Sequence, residues 1–118
     1  MVRDKIHLYF FRKRWRKKNG HNTTIALNEF ITDCVSVGEY TYGGLRIINY
    51  NENEKLKIGN YCSIAQEVTF ILNADHRKDT ISSFPFKVKV LDEHVEGTSK
   101  GDIVVDDDVW IGYGATIM

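Results

Sequence analysis

Proline occurs once in this 118-residue chain, at Pro85, and cysteine only twice. Two cysteines at unrelated spacing, Cys34 and Cys62, supply neither a disulfide framework nor a zinc quartet. No apolar run approaches the ~18 residues of a membrane-spanning helix. The apolar stretch from Ile6 to Phe11 is short and runs into charge, unlike a secretory signal. Net charge is absent too: 16 Lys and Arg balance 16 Asp and Glu, which argues against a surface built wholly for polyanions. These absences make a cytoplasmic protein without a metal site the expectation.

The neutral total hides an asymmetry. Residues 1–18 hold eight basic residues against Asp4 alone, a local +7 that leaves −7 on the remainder. Apolar residues at 42% suffice for one packed core, and the length allows one domain. Residues 5–18 read as a basic, aromatic-rich helix that Asn19-Gly20 ends. Residues 1–20 are thus assigned to an N-terminal helix and 21–118 to a second unit of another kind.

That second unit has a period of six. Ile25, Ile31 and Val37 are six apart, as are Ile58, Ile64 and Phe70, and Val105, Ile111 and Ile117. The fifth residue of the hexads is small or β-branched nearly every time, as at Val35, Thr41, Cys62, Val68, Val109 and Ala115. The second is often glycine, as at Gly38, Gly59 and Gly112, which is expected to let the chain turn at φ > 0. Six is neither a helical period nor the alternation of one strand. It fits a short strand and a turn, repeated, with the first residue inward and three units closing a triangular coil. Residues 25–42 are read as a first coil, 43–57 as a polar excursion, and 58–75 as a second coil. A long loop is expected over 76–101, followed by a coil that breaks off at Met118. Such an open coil suggests a fragment or a truncated product.

Val37-Gly-Glu-Tyr-Thr-Tyr42, Leu56-Lys-Ile-Gly-Asn-Tyr-Cys-Ser-Ile64, Asp75-His-Arg-Lys-Asp79, Phe84-Pro-Phe86 and Gly101-Asp-Ile-Val-Val-Asp-Asp-Asp-Val-Trp-Ile-Gly-Tyr-Gly-Ala-Thr-Ile117 follow one another in the chain. Together they resemble the xenobiotic acetyltransferases, hexapeptide-repeat enzymes related to streptogramin, chloramphenicol and surface-polysaccharide acetyltransferases. The resemblance implies an all-β, left-handed parallel β-helix that forms a homotrimer, with acetyl-CoA as acyl donor in clefts between subunits. It also implies that His76 is the general base and that Tyr42 and Asp75 contact the acceptor. Trp110, Gly112 and Tyr113 would contact the donor, with the Tyr113 N–H holding the oxyanion. Asp75 departs from the family's asparagine, which bears on the histidine's basicity.

The acceptor is read as a hydroxyl of a sugar or surface-polysaccharide precursor. The alternatives are a xenobiotic hydroxyl, or an inactive remnant with a structural role. His94 has no motif around it and reads as a solvated loop residue. Asp106, Asp107 and Asp108 read as a solvated corner rather than a cation site. The basic helix has two readings: a cap on the open end of the β-helix, which is favoured, or a peripheral membrane contact through residues 6–18. No recognition motif accompanies its charge, so nucleic acid is not expected as a partner.

Overall fold

A computed structural model of the chain describes residues 2–50, 52–72 and 101–118. Helix α1 (Val2–Lys18) is followed by strands β1 (Thr23–Ala26), β2 (Val35–Val37), β3 (Tyr42–Asn49), β4 (Leu56–Ile58), β5 (Ser63–Ile64), β6 (Thr69–Leu72), β7 (Ile103–Val105), β8 (Trp110–Ile111) and β9 (Thr116–Ile117). After α1, the described residues contain no helix longer than the 3₁₀ turn Thr32–Cys34.

Every strand pairing among the described residues is parallel, and strands pair with the coil before and after rather than with their sequence neighbours. One face of the stack is β2–β4–β7, in register Val37↔Ile58↔Val105. A second joins the start of β3 to β5 and β8 through Tyr42↔Ser63↔Trp110, with β1 on its outer side. The third joins the end of β3 to β6 and β9 through Ile47↔Phe70↔Ile117. This curled parallel stack is the arrangement of a β-helix, with a 17-residue helix added at one end.

Ile58, Ile64, Phe70, Cys62 and Ile111 point inward into a single core, as the period requires. Val105 is only partly buried against that core, and its strand pairs with a described strand on one side alone.

Three expectations need correction. Ile25 does not point inward: it is 54% exposed, and Thr24 and Ala26 on either side of it are buried. The indole of Trp15 sets that phase, since its Nε1 donates to Thr24 Oγ1 at 3.0 Å. The run from Gly43 to Asn49 is no polar excursion either. It lies within β3, and Leu45 and Ile47 there are fully buried. The six-residue period missed it because the corner between two faces is shortened. Tyr42 pairs 21 residues ahead with Ser63, whereas Arg46 pairs 23 ahead with Thr69. Strand β3 therefore bends through the corner without a turn, and the inward position is taken by Gly43 at φ +123°, where a Cβ would collide with the Ile64 carbonyl.

The third correction concerns the turns. Gly38 and Gly59 are not in the left-handed region. In the turns of the hexads from Val37, Ile58, Ile64, Val105 and Ile111, the left-handed residue sits at the fourth place: Tyr40, Tyr61, Glu67, Asp108 and Gly114. Gly38 and Gly59 serve close approach instead, since a Cβ on Gly59 would strike Asp106 and Asp107 of the next coil and one on Gly38 would strike Gly59 and Asn60.

Side chains knit the corners. The Oδ1 of Asn60 accepts the Glu39 N–H, and the Oδ1 of Asp107 accepts the Asn60 N–H, each at 2.7 Å. Buried Thr41 donates to Gly59 O and accepts from Cys62 N. Where the first layer has no strand on the third face, Asn28 stands in for one, its amide exchanging both hydrogen bonds with Ile47 (2.7 and 2.9 Å).

Helix α1 covers the edge of β1. Phe11 and Trp15, one turn apart, pack edge-on against Phe30 at 5.0 and 5.2 Å between ring centroids. Arg12 donates to Ala26 O, and Arg16 donates to the carbonyls of Thr24, Asn19 and Asn22. Carbonyls that would seek another strand are thereby bonded to guanidinium groups, which blunts the edge. The helix begins at Val2, three residues before the boundary expected from sequence.

Candidate functional site: an outward aromatic row on the second face

The second face carries the residues singled out in the sequence. Parallel register brings Tyr42, Ser63 and Trp110 side by side on adjacent strands, so their side chains leave the same face about 4.8 Å apart per strand. Tyr42 is 53% exposed and Trp110 77%, with Ser63 half-buried between them. Large aromatic rings left in water at the ends of one row form a flat apolar wall, with a hydroxyl in the middle able to donate and accept.

Immediately past β8 the chain turns through Gly112, Tyr113 and Gly114. A Cβ on Gly112 would meet nothing within 4 Å among the described residues, so these leave the surface beside Trp110 open. In this turn Gly114 N–H donates to Gln66 O and Ala115 N–H to Gly112 O, while the Tyr113 N–H takes no part in the backbone bonding of the turn. The Tyr113 side chain is 74% exposed. A backbone N–H beside a glycine is the kind of donor that can serve a developing oxyanion.

The structure thus puts Tyr42, Trp110, Gly112 and Tyr113 on one face and one adjoining corner. His76 and Asp75 lie outside the described residues, as do His94 and most of the loop expected over 76–101. The histidines that are described serve elsewhere. His7 is on α1, and His21 Nε2 lies 2.8 Å from the Val37 carbonyl, to which its N–H donates.

Among the described residues no group of three His, Cys, Asp or Glu gathers as a metal site would require. Asp106 and Asp107 accept backbone N–H bonds, and Asp102 accepts the Lys55 N–H at 2.8 Å. These carboxylates tie corners together. Cys34, without an assigned role in the sequence reading, is a buried thiol near Lys55 Nζ (3.9 Å) and Glu52 O.

Ser63 was missed as a site residue. The signal was present, because Tyr42, Ser63 and Trp110 all occupy the sixth place of a hexad counted from Val37, Ile58 and Val105. Equal places in successive coils are neighbours in space.

No protein-family profile matches the chain, and no solved structure matches it. Over 72 residues it is 44% identical to a probable macrolide acetyltransferase of Lysinibacillus sphaericus, a match covering 55% of this chain and 40% of that protein. It is 40% identical over 72 residues to chloramphenicol acetyltransferases of Agrobacterium fabrum and Escherichia coli, covering 55% of this chain and 34% of each. Its homologues are xenobiotic acetyltransferases. The chain spans well under half the length of these acetyltransferase relatives. No helix among its described residues is long and apolar enough to cross a membrane.

Proposed function

We propose that this chain carries part of an acetyltransferase active site that moves the acetyl group of acetyl-CoA to a hydroxyl of a xenobiotic. The observation that carries the reading is the 44% identity over 72 residues to a protein named as a macrolide acetyltransferase. The chloramphenicol acetyltransferases among the relatives favour the xenobiotic acceptor over the sugar or polysaccharide hydroxyl. In this proposal the stack is left-handed and works as a homotrimer, with acetyl-CoA in the clefts between subunits.

Each residue has one task. His76, as neutral imidazole, takes the proton of the acceptor hydroxyl. The freed oxygen attacks the thioester carbonyl carbon, and the Tyr113 N–H receives the negative charge on the carbonyl oxygen. Collapse breaks the carbon–sulfur bond, and the departing thiolate takes the proton back from the imidazolium. Tyr42 and Asp75 contact the acceptor, while Trp110 and the open Gly112 corner border the thioester arm. No covalent enzyme intermediate is needed.

Thiol release with a macrolide, chloramphenicol and a nucleotide sugar as acceptors tests the reading. In a version extended to the length of its relatives, the expected result is turnover with an antibiotic and a fall of about 10²- to 10⁴-fold in His76→Ala, the usual worth of a positioned base. Turnover with the nucleotide sugar alone would return the acceptor to the sugar class, and unchanged turnover in His76→Ala would remove that residue from the mechanism.

A further inference from the structure

Helix α1 has two working faces. Asp4, Leu8, Phe11 and Trp15 recur at helical spacing on the side toward the β-stack, and there Phe11 and Trp15 are buried. Arg12 and Arg16, beside that stripe, are engaged with β1 carbonyls. The opposite stripe is Val2, Ile6, Tyr9, Lys13 and Lys17, with Phe10 one turn beyond Ile6, and all six are exposed. Its first half is apolar and its second half cationic. Tyr9 and Phe10 meet edge-to-face at 5.4 Å, and the Lys13 ammonium lies 4.9 Å from the centre of the Tyr9 ring. The only acidic residue of the helix, Asp4, falls on the other stripe.

We propose that the outward face of α1 docks on an anionic lipid bilayer surface, with Ile6, Tyr9 and Phe10 at the headgroup–acyl boundary and Lys13 and Lys17 on the phosphates. Charge complementarity selects this occupant. Arg3, Lys5, Lys13, Arg14 and Lys17 stand on or beside the face with no carboxylate among them, so a second copy of the same face is repelled. Four exposed apolar side chains in the leading half give a polyanion such as duplex DNA nothing to bind, whereas a bilayer takes up both halves. The edge-capping role and the membrane role do not compete, because they use opposite sides of the helix. The proposal stands independently of the acetyltransferase reading.

The test is flotation of the 118-residue chain with phosphatidylcholine vesicles and with vesicles that also contain phosphatidylserine. Binding is expected only to the second kind, and it should fall steeply as salt is raised. Lys13→Glu with Lys17→Glu should weaken it at least about tenfold, from roughly one kcal/mol per lost surface charge. Ile6→Ser with Phe10→Ser should weaken it comparably although no charge changes. All four positions are exposed, so circular dichroism should show both variants folded like the parent. Equal binding to both vesicle types, or binding that survives the Ile6→Ser and Phe10→Ser pair, overturns the proposal. So does association with duplex DNA that is tighter than with vesicles and insensitive to that pair.

Discussion

Tyr40 and Tyr61 each adopt a left-handed backbone, at φ +63° and +58°, and their rings stack at 5.5 Å with 6° between planes. A non-glycine residue there costs about 1–2 kcal/mol, and a stacked aromatic pair returns about 0.5–1.5 kcal/mol. When one tyrosine is replaced, the strain relieved at that residue and the stacking lost nearly cancel. Tyr61→Asn, which tolerates the left-handed region, should therefore change stability by less than about 1 kcal/mol in urea unfolding, and the Tyr40/Tyr61 double-mutant cycle should show a coupling of about 0.5–1.5 kcal/mol. Gly43 behaves differently. Gly43→Ala sets a Cβ against the Ile64 carbonyl at a positive φ, so it should cost about 2 kcal/mol or more in the same measurement. At this scale the sequence was legible for the inward aliphatics, because burial of every sixth side chain leaves a compositional trace. It was illegible for the turns. The strained place carries Tyr, Tyr, Glu, Asp and Gly in turn, and the register that repeats is of backbone angle and not of residue type.

Helix α1 was legible as an element from its basic and aromatic run, and its two readings as cap and as membrane contact each correspond to one stripe of the folded helix. What the sequence could not disclose was that Arg12 and Arg16 serve as hydrogen-bond donors to an edge strand. A guanidinium bonded to a carbonyl and one left in water look alike in one dimension. Strand β3 was missed for a related reason: two residues lost at one corner break the count of six, and glycine at the inward position removes the aliphatic that the count relies on. The docking predicts that Trp15→Ala costs about 3–5 kcal/mol, the range for a buried aromatic in a core, with the Thr24 hydroxyl losing its donor as well. Arg16→Ala should cost about 1–3 kcal/mol through the β1 and turn carbonyls it leaves unbonded. Thermal unfolding of the two variants checks both, with Trp15→Ala expected to be the less stable.

Across the whole molecule, protection should follow position in the stack. Strands β4, β5 and β6 have described neighbours on both sides, whereas β7, β8 and β9 pair with a described strand on one side only. Hydrogen exchange of the 118-residue chain should therefore be slowest in β3 to β6 and fastest in residues 103–117. Uniform protection along the stack would show that the outer edge is covered in solution. The candidate site straddles this gradient, since Tyr42 stands on a central strand and Trp110, Gly112 and Tyr113 on the least protected layer. Acetyl-CoA should accordingly bind the 118-residue chain more weakly than micromolar, because ordering even a few residues at about 1–2 kcal/mol each consumes such an affinity. Calorimetric titration decides it, and micromolar binding by a folded oligomer would show that this layer is ordered enough to serve.

The spacing of the pairings also sets the order in which the layers can assemble. Strands β1 and β3 meet across 19 residues and β2 and β4 across 21, but β4 and β7 across 47. Closing the longer span costs about 0.7 kcal/mol more than the shorter one by chain entropy, although each pairing joins the same three residues. The ladder should therefore grow from the helix-capped end, with α1, β1 and β3 forming the template on which β4 to β6 are laid. Because these segments also leave the ribosome first, synthesis and assembly run in the same direction, and the nascent chain meets each edge with the next strand already at hand.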